Sequence, residues 1–148
     1  MEKAYFAAGC FWHVQEEFDK TPGLISSVVG YSGGKTKNPT YEEVSSHKTE
    51  HAETVEVVFN EKIISFEELV SVFFLIHDPT QLNRQGPDIG DNYRSAIFYL
   101  NIKQKKTALR IIKEEEKKIG KTVVTAVSKL KAFYPAEEYH QKYFEKRK

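Results

Sequence analysis

One cysteine, one methionine and one tryptophan occur in 148 residues. A lone cysteine cannot close an internal disulfide, so Cys10 is an inert buried thiol, an intermolecular bridge or a reactive group. Free cysteine is often buried, which keeps the first alternative open. Nowhere do about 18 apolar residues run together, as a membrane-spanning helix requires. The start Met-Glu-Lys-Ala-Tyr-Phe lacks the basic and then apolar pattern of a secretory leader. These absences predict a soluble, cytoplasmic protein with no membrane partner. Repeats and low-complexity tracts are also missing.

An excess of charge of one sign is nearly absent overall, the net being +1, but the charges are unevenly distributed. Residues 101–148 carry 14 Lys and Arg against 6 Asp and Glu. Basic segments attract nucleic acid. Here the lysines are interleaved with acids in Lys113-Glu114-Glu115-Glu116-Lys117-Lys118, the pattern of a solvated helix face, and no nucleic-acid partner is expected. With 40% hydrophobic residues the chain can bury a core, and its length suits one domain spanning 1–148.

Residues 3–8 read as a strand, followed by a Gly9 turn and a helix on which Phe11, Val14 and Phe18 share one side. Leu24 to Val29 form a second strand between Thr21-Pro22-Gly23 and Gly30, and a long loop follows. Residues 52–59 alternate, with Glu53, Val55, Val57 and Phe59 on one face. Ser65 and Glu68 have capping-box spacing and open a helix that must stop before Pro79. After another long loop, Tyr93 to Leu100 read as a buried strand. A charged helix over 103–119 carries Leu109 and Ile112 on its apolar face and ends at Gly120. Residues 122–128 predict a strand, and Pro135 opens a last helix. The mixed order of hairpins and crossovers favours an α+β sandwich over a doubly wound sheet.

Chemistry gathers around Cys10. At a strand-to-helix junction, unpaired amide N–H groups and the helix dipole stabilise an anion, which predicts a thiol of depressed pKa and raised reactivity. Phe11 and Trp12 either wall a small apolar pocket or pack in the core. Glu53 sits on an apolar strand face near the strand start. Either it is buried, its pKa raised to that of a general acid, or its head reaches solvent.

Gly34-Lys35-Thr36 mimics the end of a phosphate-binding loop, but position 29 is Val29 where a leading glycine is needed, and Pro39 follows. The five histidines have no metal-ligand spacing, so no metal site is argued. A cysteine hydrolase or acyltransferase would pair Cys10 with His51 or His140 as base, and sequence alone does not set those distances.

Taken in order, the segments Gly9-Cys10-Phe11-Trp12, Gly30-Tyr31-Ser32-Gly33-Gly34, Asn38-Pro39-Thr40-Tyr41-Glu42-Glu43-Val44, His51-Ala52-Glu53, His77-Asp78-Pro79-Thr80, Asn83-Arg84-Gln85-Gly86, Asp88-Ile89-Gly90, Tyr93-Arg94-Ser95-Ala96-Ile97-Phe98 and Ala136-Glu137-Glu138-Tyr139-His140-Gln141 closely resemble methionine sulfoxide reductase A. The resemblance runs from about residue 4 to 144. It implies a ferredoxin-like two-layer α+β core with long irregular loops, and reduction of the S epimer of methionine sulfoxide, free or in proteins. It further implies that Cys10 attacks the sulfoxide sulfur and Glu53 supplies a proton. Tyr41 and Tyr93 would hydrogen-bond the oxygen, Phe11 and Trp12 would hold the substrate methyl, and Asp88 would bind the substrate backbone. Cys10 would be left as a sulfenic acid.

The sequence departs from that family at two places. Many relatives carry further cysteines that resolve the sulfenic acid; here Ser45 and Ser46 follow Val44, and no second thiol is present. Recycling is therefore expected to need no bound cofactor but an external thiol, namely thioredoxin, glutaredoxin or glutathione. Glu50 stands where glycine is usual before His51-Ala52-Glu53. No feature of the sequence calls for self-association, and a monomer is expected.

Overall fold

The computed structural model describes residues 1–147. Lys148, the last residue of the expected domain, lies outside the described residues.

Strand β1 (Glu2–Ala8) runs into helix α1 (Phe11–Asp19), and the chain returns as β2 (Leu24–Ser32). A short helix α2 (Tyr41–Ser45) precedes β3 (Ala52–Phe59), which leads to α3 (Phe66–Leu75). A small hairpin of β4 (Arg84–Gln85) and β5 (Asp88–Ile89) and a 3-10 turn at Asp91–Tyr93 come before β6 (Ser95–Tyr99). Helix α4 (Ile102–Ile119), β7 (Ala126–Lys129) and β8 (Phe133–Pro135) complete the regular elements.

The main sheet has the order β7-β6-β1-β3-β2-β8. Its central strands β6-β1-β3-β2, with α1 after β1 and α3 after β3, are the ferredoxin-like arrangement. All its pairs are antiparallel except β6 with β7, which are joined by the α4 crossover. The sheet also curls. Five strand spacings of about 4.8 Å would part flat edges by about 24 Å. The link from Lys129 to Phe133 reaches only about 14 Å. The edge strands therefore approach each other over the face away from the helices, where Leu130 and Phe133 pack on Tyr5, Ala7, Ala52, Ala96 and Phe98.

The alternation in β3 behaves as its sequence predicts: Glu53, Val55, Val57 and Phe59 are all buried beneath the helices. Phe6 of β1, paired with Val55, stacks on Phe18 of α1 and contacts Phe73 of α3, tying both helices to the sheet centre. Ser65 caps α3 in a complete capping box with Glu68. A second box, Thr40 with Glu43, starts α2 inside a stretch expected to be loop.

Three expectations need correction. On α4 the buried side is Gln104, Ala108 and Ile111; Ile112 is half-buried and Leu109 is exposed. Gln104 can sit there because its side chain accepts from the Leu100 N–H and donates to the Lys3 carbonyl. Tyr93 belongs to a 3-10 turn rather than to β6. The last helix does not form. Pro135 pairs with Gly30 in β8, the Ala136 N–H donates to the Val29 carbonyl, and Lys142 takes a left-handed φ of 55°, so helical bonding is interrupted at both ends. Only 3-10 turns at Glu138–His140 and Glu145–Arg147 remain.

Candidate active site

The register of the sheet decides which loops meet. The C-terminal ends of β1 and β2 and the N-terminal ends of β3 and β6 lie at one end of the sheet, since Ala8 pairs with Ser95 and Tyr31 with Glu53. Gly9 turns the chain from β1 into α1 with φ of 101°, and a side chain there would press on Gln85. Cys10 thereby becomes the N-cap of α1, half-buried, its carbonyl accepting from the His13 and Val14 N–H groups.

Glu53 enters from β3 with 2% of its surface exposed. The Phe11 N–H donates to its Oε1 at 3.2 Å, which joins the carboxyl to the first turn of α1. Its Oε2 has no hydrogen-bond partner among the described residues. Burial pushes the Glu53 carboxyl up from 4.5 to about 8, with the Phe11 N–H and Asn92 working against the rise and Asp88 adding to it. At neutral pH the group is therefore largely protonated. Of the two readings open from sequence, the structure selects the buried acid.

The thiol departs from expectation. Burial, followed by the field of Glu53, pushes Cys10 up to about 11, although the Trp12 and His13 N–H groups favour the thiolate. The helix terminus acts in the direction its sequence position predicts. Desolvation outweighs it, because segments distant in sequence enclose the sulfur.

Both tyrosines lie within the field of Glu53 and Cys10. Tyr41 and Tyr93 are each raised, first by burial and next by Glu53, and Cys10 contributes at both. Tyr41 is placed by Glu137: one carboxylate oxygen accepts from the Tyr41 N–H at 2.9 Å and the other from the Tyr31 hydroxyl at 2.9 Å. Asp88, on β5, faces a cavity of about 580 Å³ that has Cys10 in its wall, and its charge acts on Cys10, Glu53 and Tyr93. Cys10, Glu53, Tyr41, Tyr93 and Asp88 thus form one electrostatic neighbourhood.

Phe11 is buried between Tyr31, Tyr41 and His140. Trp12 is half-buried; its indole N–H donates to His140 Nδ1 at 2.9 Å, and its ring stacks on Tyr143 with centroids 3.6 Å apart. Sequence periodicity gave no sign of Asn92 beside Glu53, of Glu137, or of the Tyr143 stack. Of these only Glu137 lay within a recognisable segment, Ala136 to Gln141.

Neither histidine offered as a hydrolase base serves Cys10. His51 Nδ1 accepts from the Gly34 N–H and its Nε2 bonds the Thr36 carbonyl. His140 Nδ1 is held by Trp12, and neither ring contributes to the charges acting on the thiol. His13 is exposed. Among the described residues no group of three or more His, Cys, Asp or Glu is arranged to hold a metal, and no helix is long and apolar enough to cross a membrane.

Known proteins resemble this chain in sequence and in fold. The sequence model of the family described as peptide methionine sulfoxide reductase matches residues 2–148. The chain is 51% identical over 149 residues to peptide methionine sulfoxide reductase MsrA of Geobacter sulfurreducens, covering 99% of this chain and 92% of that one. It is 54% identical over 146 residues to MsrA of Nautilia profundicola, covering 99% and 84%. Among solved structures, reduced Mxr1 from Saccharomyces cerevisiae superposes with a TM-score of 0.94 at 36% identity, covering 98% of this chain and 84% of that one. Mxr1 in complex with Trx2 matches with a TM-score of 0.70 at 29% identity, covering 96% and 84%. Sequence and fold together establish that the chain belongs to the peptide methionine sulfoxide reductase family, as an MsrA-type oxidoreductase that returns methionine sulfoxide to methionine.

Proposed function

We propose that this protein, a cytoplasmic monomer without bound cofactor, reduces the S epimer of methionine sulfoxide, free or in proteins, with Cys10 as nucleophile and Glu53 as acid. The observation that carries the assignment is the buried Glu53 carboxyl, protonated at neutral pH and tied to the first turn of the helix that Cys10 caps.

Cys10 sulfur forms a bond to the sulfoxide sulfur while Glu53 gives its proton to the oxygen, steadied by the Tyr41 and Tyr93 hydroxyls. The proton balance closes when the proton of the Cys10 thiol replaces the one Glu53 has lost. Phe11 and Trp12 hold the methyl group, and Asp88 holds the backbone of the substrate. The protonated oxygen then passes from the substrate sulfur to the Cys10 sulfur: the sulfoxide S–O bond and the sulfur–sulfur bond break, a bond from Cys10 sulfur to the oxygen forms, and methionine leaves with Cys10 as S–OH. The thiol has lost two electrons and the sulfoxide has gained two.

An external thiol then displaces water from the sulfenic acid, giving a mixed disulfide, and a second thiol frees Cys10. A thioredoxin is the first candidate, because the related Mxr1 is known in complex with Trx2; glutaredoxin and glutathione supply the same chemistry. The test is a single turnover without reductant. One methionine per chain and a mass gain of one oxygen at Cys10 are expected, and sustained turnover would refute the recycling scheme.

A further inference from the structure

The cavity beside Cys10, about 580 Å³, is of the size that encloses a drug-like ligand (roughly 300–1,000 Å³) rather than one thioether side chain. One wall is α1, which presents Cys10, Val14 and Glu17 at successive turns. The lining also takes in Leu75 and Ile76 from the end of α3, and Pro87 from the turn before Asp88. Leu75 is 83% exposed. A single exposed leucine means little, but Leu75, Ile76 and Pro87 all line the cavity that holds Cys10.

The charges in the lining are of one sign. Its carboxylates are Glu17 and Asp88, and no Lys or Arg contributes, although the chain as a whole carries +1. A separate cavity, lined by Lys35, Lys37, Lys129 and Lys131, is basic. Glu17 does have a partner, Lys20 at 3.6 Å, but that pair is exposed on both sides, and such pairs exchange readily for another cation.

We propose that this cavity is a groove for an extended peptide, selecting methionine sulfoxides flanked by apolar and cationic residues. The apolar neighbour covers Leu75, Ile76 and Pro87, and the cationic neighbour reaches Glu17. The proposal rests on the reading of Cys10 as the reducing nucleophile.

The test uses heptapeptides with one central methionine sulfoxide and lysine, glutamine or glutamate at each flanking position in turn, with dithiothreitol as reductant. At low salt, kcat/KM at one or more positions should favour lysine over glutamate by at least about threefold, the scale of an exposed ion pair. Salt should erase the difference. Glu17→Lys should invert it. Leu75→Ser, at a position too exposed to disturb folding, should raise KM for leucine-flanked peptides relative to glycine-flanked ones. Equal rates for lysine and glutamate at every position would overturn the proposal, as would a preference that survives Glu17→Lys. It is equally overturned if both variants leave peptide ranking intact and slow only recycling by a protein thiol, since the groove would then serve the reductant. Failure of the wild-type chain to reduce N-acetyl-methionine sulfoxide would instead count against the reductase mechanism itself.

Discussion

Trp12 donates its indole N–H to Nδ1 of His140 across 128 positions of sequence. The bond fixes the tautomer of the imidazole, with its proton on Nε2, and it holds the tryptophan edge while Tyr143 covers the ring face. His140 is fully buried, and burial lowers its pKa, so it stays neutral and able to accept. We predict that His140→Phe, which keeps an aromatic ring but removes the acceptor, destabilises the fold by about 1–3 kcal/mol. It should also raise KM more than it lowers kcat, because Trp12 contacts the substrate methyl in our mechanism. His140→Asn, whose amide oxygen can replace Nδ1, should recover part of both. Equal behaviour of the two variants in denaturant titrations and steady-state assays would show that the bond does not matter.

Glu53 should cost the fold stability. Its native pKa of about 8 lies above the unfolded value, so below pH 4.5 both states are protonated and no penalty arises. As pH rises from 4.5 to 8 the unfolded state ionises while the native state does not, and stability falls throughout that window. Replacing the carboxyl by the isosteric amide in Glu53→Gln removes the penalty. The variant should be more stable than wild type by about 3 kcal/mol at pH 7. The gain should vanish near pH 4 and level off above pH 8. Urea unfolding of both proteins across that range checks the sign, and a variant less stable than wild type at pH 7 would refute a strained buried acid.

His77 gives a pH effect at the other end of the range. Burial lowers it to about 4, while its Nδ1 bonds the Phe73 carbonyl and its Nε2 meets the Ser95 hydroxyl. Above pH 6.5 the ring is neutral in both states. As pH falls from 6.5 to 4 only the unfolded state gains the proton, so stability should drop by up to about 3 kcal/mol. Acid unfolding of His77→Gln should lack this slope below pH 6.5. A slope identical to wild type would assign the acid sensitivity to other groups.

How far the site is legible in sequence differs from residue to residue. Glu53 could be placed because strict alternation over 52–59 specifies a face, and the pairing partners of β3 bury that face. The position of Cys10 at a helix start followed from Gly9 and the spacing of Phe11, Val14 and Phe18. Its pKa could not be read the same way, because a helix terminus is local whereas desolvation comes from segments far along the chain. Segment 136–147 has the composition of a helix, yet long-range bonds set its path. Gln141 bridges the backbone N–H and carbonyl of Val29, and Lys142 bonds Asp19, Ser27 and Gln15. Strand order depends likewise on distant partners, so the α+β class follows from periodicity and the ferredoxin-like frame only from resemblance.

Glu50 occupies a left-handed conformation, φ 62°, immediately before His51. A side chain there is strained, by about 1–2 kcal/mol for most residues. Its compensation is an ion pair with Lys35 at 3.2 Å, exposed on both sides and therefore weak. Glu50→Gly should raise stability by about 0.5–1 kcal/mol, the relief of strain exceeding the added freedom of glycine in the unfolded chain. The backbone leading to Glu53 should not move, so kcat is expected to stay within about twofold. A loss of stability would mean that the Lys35 pair holds the loop.

Cys10 and Glu53 titrate as a coupled pair, with apparent values of about 11 and 8. The reactive arrangement has the thiolate and the protonated acid together, which is a one-proton state of the pair. That state is populated only after the first proton has left, near pH 8, and it persists until the second leaves, near 11. The pH profile of kcat/KM, which reports the free enzyme, should therefore rise toward pH 8 and then run flat, rather than fall as ionisation of Glu53 alone would suggest. In Glu53→Gln the rising limb should move toward the titration of the thiol itself, with the rate lower by at least about 10²-fold from loss of the acid. A wild-type profile that falls above pH 8 would identify the neutral thiol as the attacking species and replace the thiolate mechanism with concerted proton transfer from Cys10.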